Sequence, residues 1–198
     1  MSNDGVNHAR RRFLTVATTG VGVAGAGFVV TPFVGSWNPS AKAKSAGAPV
    51  KANISKIDAG QMATFEWQGK PVYVVRRTPD MVSGLVKMDT MLQDPESLKS
   101  IQPSYCKNNH RSINDAVFVV VGICTHLGCA PKYRPDVAPE DLGKDWLGGF
   151  FCPCHGSKFD LAGRVLKNVP APTNLTVPAY RFDGDTIIVI GEDPKGAA

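Results

Sequence analysis

Two short runs constrain this chain more than anything else in it: Cys124-Thr125-His126-Leu127-Gly128-Cys129 and Cys152-Pro153-Cys154-His155-Gly156-Ser157. They hold four of the five cysteines and two of the four histidines. The first offers a C-x-H turn and the second a C-x-x-H turn, and each turn presents two donor atoms to one centre. Two thiolates and two imidazoles complete a four-ligand set. Three readings compete. Two structural disulfides would leave the Cys/His spacing recurring by accident. A zinc ion accepts two Cys and two His, but zinc knuckles usually repeat C-x-x-C or H-x-x-x-H within a run. Here each run mixes its ligands and keeps an extra cysteine. The third reading is a two-iron, two-sulfide (2Fe-2S) cluster with Cys on one iron and His on the other.

Residue for residue, the two runs match C-x-H-x-x-C and C-x-C-H, and the chain thereby resembles the Rieske iron–sulfur proteins. The resemblance implies that Cys124 and Cys152 hold one iron and His126 and His155 the other. It further implies a disulfide between Cys129 and Cys154, tying the two loops together. Soluble Rieske ferredoxins and ring-hydroxylating dioxygenases usually lack that second cysteine pair, so its presence points to the Rieske subunits of quinol-oxidising complexes. Ser157 matches a family serine that donates a hydrogen bond to a bridging sulfide, which favours the reduced cluster. Leu127 matches a leucine that shields the cluster, although ordinary core packing is an equal reading. Phe159 stands where the family often has a tyrosine donating to a ligand sulfur, and the resemblance therefore implies a lower midpoint potential here. Val169-Pro170-Ala171-Pro172 resembles the family's Gly-Pro-Ala-Pro loop over the cluster, without its glycine.

The ligand chemistry explains why this set suits quinol oxidation. Exchanging two thiolates for neutral imidazoles makes the cluster easier to reduce, with potentials of roughly −150 to +300 mV against about −400 mV for all-Cys plant-type clusters. The outer imidazole nitrogens can also take up a proton when the iron is reduced, so an electron and a proton can be collected together.

Formal net charge is +5, which taken alone would admit nucleic acid. Residues 1–50 carry net +4 and the remainder only +1. No basic stripe with interleaved aromatics appears, and nucleic-acid binding is excluded. The basic segment is Arg10-Arg11-Arg12-Phe13-Leu14, which fits the twin-arginine export pattern. No Asp, Glu, Lys or Arg follows from Phe13 to Ala41, long enough to span a hydrocarbon core of roughly 30 Å. Gly20-Val21-Gly22-Val23-Ala24-Gly25 formally fits G-x-G-x-x-G, but lacks the flanking strand a dinucleotide site needs and is assigned to the membrane helix. The expected organisation is a cytoplasmic tail with the twin-arginine signal at 1–12, an uncleaved transmembrane anchor at 13–37, a flexible hinge linker at 38–50 and a Rieske domain at 51–198. The cluster-binding subdomain is expected at about 122–172. Positive charge before the span keeps the N-terminus in the cytoplasm and delivers the head to the periplasm, where a disulfide can form.

The head reads as mainly β, an antiparallel β-sandwich with the cluster-binding subdomain inserted. Strands are predicted at Val50–Ile57, Ala63–Gln68, Pro71–Arg77 and Ala116–Val121, with a helix running to Leu92 from Thr78 or Pro79. A closing hairpin is predicted from Ala179–Phe182, the turn Asp183-Gly184-Asp185 and Thr186–Ile190. Cys106 reads as an unpaired thiol. Residues 130–144 form a polar excursion to which the sequence assigns no role.

By resemblance, the function expected is that of the Rieske subunit of a bacterial ubiquinol–cytochrome c reductase, the cytochrome bc1 complex. It would carry one 2Fe-2S cluster and sit in the inner membrane beside cytochrome b and cytochrome c1, within a dimeric complex. His155 would accept the hydrogen bond of ubiquinol, and His126 would be the second exposed imidazole. The electron would pass on to cytochrome c1 in a respiratory or photosynthetic chain. Two rivals fit the same runs: the Rieske small subunit of a periplasmic arsenite oxidase, and a zinc-stapled, membrane-tethered binding module.

Overall fold

A computed structural model describes residues 5–197, with the side chains of residues 42, 44 and 46 left aside. Residues 1–4 of the expected 1–12 tail, and residue 198, lie outside the described residues. The chain divides into two compact units, Met1–Ser45 and Ala46–Ala198.

The first unit is built on α1 (His8–Ser36), 29 residues without a buried side chain. It is long and apolar enough to cross a membrane. Asn7 caps it, its side chain accepting from the Arg10 amide at 3.1 Å. The helix therefore starts five residues before the anchor boundary read at Phe13, and the arginines lie in its first turns. Arginine is a good helix former, and the cap outweighs the unfavourable placement of cations there. The Thr15 hydroxyl donates to the Arg11 carbonyl and the Thr31 hydroxyl to the Gly27 carbonyl, so both are satisfied within the helix, as a bilayer requires. The G-x-G-x-x-G run lies inside this helix, as read. A second, short helix α2 (Ala41–Ala46) occupies part of the segment read as linker. Ser40 Oγ accepts from the Ala43 amide, and the Ala/Lys composition favours helix.

The second unit holds three three-stranded antiparallel sheets among the described residues. The strands are β1 (Val50–Asn53), β2 (Met62–Trp67), β3 (Lys70–Arg76), β4 (Val117–Val121), β5 (Lys132–Arg134), β6 (Gly149–Phe151), β7 (Lys158–Asp160), β8 (Tyr180–Phe182) and β9 (Ile187–Ile190). One sheet runs β1-β9-β8 and the second β2-β3-β4. They share one core that includes Ala52, Ile188 and Ile190 from the first and Val72, Val74, Phe118 and Val120 from the second. This is the expected sandwich. Trp67 pairs with Lys70 across a two-residue turn, in which Gln68 and Gly69 both take positive φ (54° and 69°).

Helix α3 (Pro79–Lys87) starts on Thr78, whose side chain caps the Met81 amide. It stops before the predicted Leu92, and Asp89–Met91 tightens into a 3-10 turn.

The third sheet, β5-β6-β7, belongs to the inserted subdomain. Its outer strands escape a periodicity reading because each is only three residues long. Strand β5 begins within the 130–144 excursion and gives that segment a role. Arg134 holds Asp136 and Asp141, each at 2.8 Å. Its carbonyl accepts from Trp146 Nε1, and the Tyr133 hydroxyl reaches the Gly60 carbonyl. The excursion is held by these contacts, while much of its length stays exposed.

Behind the subdomain three buried arginines meet at the turn Leu161–Arg164. Arg77 donates to the Leu161 carbonyl, and Arg111 to the carbonyls of Ala162, Gly163 and Leu175. Arg164 pairs with buried Asp160 at 2.7 Å. Burial pulls the Arg77 and Arg111 guanidiniums down to about 10, Asp160 opposing it in both, so both stay charged at neutral pH.

Candidate metal centre

The two ligand runs fold as near copies of one loop. In the first, the Cys124 amide donates to the Cys129 carbonyl at 2.8 Å and the Gly128 amide to the Cys124 carbonyl at 3.0 Å. In the second, the Cys152 amide donates to the Ser157 carbonyl at 2.8 Å and the Gly156 amide to the Cys152 carbonyl at 3.0 Å. The fifth residue of each is a glycine at positive φ, 84° and 77°, which lets a six-residue loop close on itself.

The structure brings all the predicted ligands to one end of the subdomain. Cys124 and Cys152 are each 2% exposed, and their thiols stand within hydrogen-bonding contact. His126 and His155 meet edge-to-face with ring centroids 4.8 Å apart. His155 is exposed and His126 half-buried. Burial pushes the Cys124 thiol up. The His126 backbone N–H opposes this, the Cys152 thiol adds to it, and the Ser157 hydroxyl again opposes it. Two donors therefore face the Cys124 sulfur and favour its anionic form.

Cys129 and Cys154 are joined in a disulfide. The sulfurs of Cys129, Cys152 and Cys154 lie within 4.8 Å of one another. Two of the three are spent on the disulfide, so this trio is one free cysteine, Cys152, beside a covalent tie. Cys106 is free and buried, and burial pushes its thiol up to about 11, which leaves it unreactive. Leu127 is 70% exposed, which rules out core packing and puts an apolar side chain on the surface between His126 and Gly128.

The segment 171–173 is tied to both loops. The Ala171 amide donates to Ser157 Oγ at 3.1 Å. The Thr125 hydroxyl donates to the Thr173 carbonyl at 2.7 Å. Ser157 thus serves the Cys124 sulfur and this segment together. Thr125 carries no sequence signal beyond its place between Cys124 and His126. Phe159 is fully buried in β7, opposite Phe150, and brings no hydroxyl to the site.

A family model described as "Rieske [2Fe-2S] domain" matches residues 48–181. The chain belongs to the Rieske family. A Rieske protein carries a 2Fe-2S cluster, and the donor set fits it: two buried thiols side by side and two imidazoles from opposite loops. A second model, "Ubiquitinol-cytochrome C reductase Fe-S subunit TAT signal", matches residues 1–40, in line with the arginine motif and α1, and with a membrane-anchored protein whose head is exported. The ubiquinol-cytochrome c reductase iron-sulfur subunit of Allochromatium vinosum is 57% identical over all of this Rieske chain and 95% of its own length. That of Blastochloris viridis is 41% identical over 96% of this chain and 97% of its own. Among solved structures, a chain titled "Hyperthermophilic respiratory Complex III" aligns with 87% of this chain and 98% of its own, at TM-score 0.48 and 24% identity.

Proposed function

We propose that this Rieske protein is the iron–sulfur subunit of a bacterial ubiquinol–cytochrome c reductase, with Cys124 and Cys152 on one iron and His126 and His155 on the other. The observation that carries the ligand assignment is the meeting of two buried thiols with two imidazoles, His155 exposed and His126 half-buried. Kinship with iron–sulfur subunits of that complex over the full chain supports the rest.

When bound, the cluster supplies a one-electron acceptor whose potential the two imidazoles raise. The chain's own residues do the remainder. His155, exposed at the tip, accepts the hydrogen bond of ubiquinol held by cytochrome b and takes up its proton on the outer ring nitrogen. His126 offers the second outer imidazole. Leu127 gives the docking face an apolar contact and limits water at the ligands. The His126 amide and the Ser157 hydroxyl hold negative charge at the Cys124 sulfur. The electron leaves for cytochrome c1 after the head moves, with residues 38–50 as the hinge. The head lies in the periplasm, the N-terminus in the cytoplasm and α1 in the inner membrane, within a dimeric complex.

Electron paramagnetic resonance of the reduced protein in its membranes tests this reading. The expected result is a Rieske-type spectrum whose g values move when a quinol-site inhibitor is added, together with co-purifying b- and c-type haems. Protein without iron and acid-labile sulfide, or with zinc in their place, would sink it. For the hinge, prolines introduced at 38–50 should slow turnover while leaving that spectrum intact.

A further inference from the structure

One buried side chain from the basal sandwich touches residues that flank both ligand loops. Tyr73 lies in β3, opposite Val120 of β4, and is 7% exposed. Its ring lies flat against Gly122, the residue that leads from β4 toward Cys124. A Cβ built on Gly122 would overlap the carbons of that ring, at a glycine that needs no positive φ. The absence of a side chain there is thus required by the tyrosine. The Tyr73 hydroxyl donates to the Pro131 carbonyl at 3.2 Å, just past Cys129 at the other end of the same loop. The ring also stacks on Phe150, with centroids 6.0 Å apart and planes 12° apart. Phe150 lies in β6, two residues before Cys152.

We propose that Tyr73 is a positioning residue for the cluster, setting the spacing of the first ligand loop against the second. The role rests on the ligand assignment above. Its face fixes where the first loop begins, its hydroxyl fixes where that loop ends, and its other side bears on the strand that delivers Cys152. A phenylalanine would meet the first and third demands, glycine at 122 included, but has no hydroxyl for the second. A looser first loop weakens the donor contacts of the His126 amide and the Ser157 hydroxyl at the Cys124 sulfur. Those contacts favour the more negative state, so loosening lowers the potential.

The test uses the full chain in membranes, with Tyr73→Phe, Gly122→Ala and the pair Gly122→Ala/Tyr73→Leu. Tyr73→Phe should keep its full iron and sulfide content. Its midpoint potential should fall and its g values broaden, and the Cys124 and Gly128 amides should exchange about fivefold faster, as expected for one lost hydrogen bond. Gly122→Ala should lose much of its cluster, and the smaller leucine in the pair should restore part of it. Tyr73→Phe with wild-type g values and potential overturns the proposal, as does a pair no better than Gly122→Ala alone. An unsubstituted chain without iron would remove the ligand assignment instead. Amide exchange, which needs no cluster, would then decide for Tyr73, and unchanged rates would overturn its role.

Discussion

The two ligand loops share a backbone and differ in what hangs on it. Each opens on a cysteine, closes through the same pair of backbone hydrogen bonds and turns on a glycine in fifth place. The histidine comes third in the first loop and fourth in the second. The place left over in the second loop, Cys154, is joined to Cys129 at the end of the first. The lesson concerns depth. A residue at the base of a short loop is buried by the strand that feeds it, whereas one at the crest faces water. Both cysteines therefore sit inside, where thiolate charge needs metal and donors. The imidazoles lie farther out, His155 exposed and His126 half-buried. The supports differ as well. The first loop is tied to the segment 171–173 by a side-chain donor, Thr125, and the second by a side-chain acceptor, Ser157.

The strongest break in this symmetry comes from the histidines. His126→Ala and His155→Ala should each abolish the Rieske signal, while circular dichroism shows the sandwich intact. Survival of the signal in either variant would mean that the two loops are not equivalent ligand donors. Next is the covalent tie. Cys129→Ala/Cys154→Ala should cost about 3 kcal/mol in chemical denaturation, for a loop closed across 25 residues. It should also shorten the lifetime of the cluster in the isolated protein. The glycines sharpen the comparison most directly. A Cβ at Gly128 or at Gly156 meets nothing within 4 Å, so alanine at either should cost only the backbone penalty, about 1–2 kcal/mol. Clearly unequal losses in melting experiments would show that the shared backbone bears unequal load. The smallest effect belongs to Phe159→Tyr, which offers a new hydroxyl near the second loop. A hydrogen bond of about 1 kcal/mol to a ligand sulfur would raise the potential by about 40 mV in a one-electron titration. An unchanged potential would mean that the hydroxyl at 159 finds no ligand sulfur.

Much of the site was legible because its chemistry is local. Cys124, His126, Cys152 and His155 announce themselves by type and spacing. The long helix α1 follows from an uncharged run, and the closing hairpin from a turn between β-rich segments. Other features left weaker traces. Strands β5 and β7 are too short for alternation to register. The short helix α2 hides in a stretch whose lack of apolar periodicity reads as linker. Leu127 fits core and surface equally by residue type, and only its exposure decides between them.

Arg77, Arg111 and Arg164 look in sequence like solvated surface charges. They are buried because the carbonyls of the Leu161–Gly163 turn and the Asp160 carboxylate receive them. Tyr73 is one more aromatic in a strand until its neighbours at 122, 131 and 150 are known.

By itself the sequence determined which atoms can bind metal, how far apart they stand along each loop, and that an export signal and an apolar helix precede them. Covalent spacing and residue type carry that information without reference to the rest of the chain. Only the tertiary structure decided how deep each cysteine lies, which imidazole is the more exposed and which distant groups hold the two loops together. Those outcomes depend on contacts between distant positions, such as the disulfide across 25 residues and the bond from Tyr73 to Pro131 across 58. A local pattern cannot encode them, because any strand with the same alternation would satisfy it.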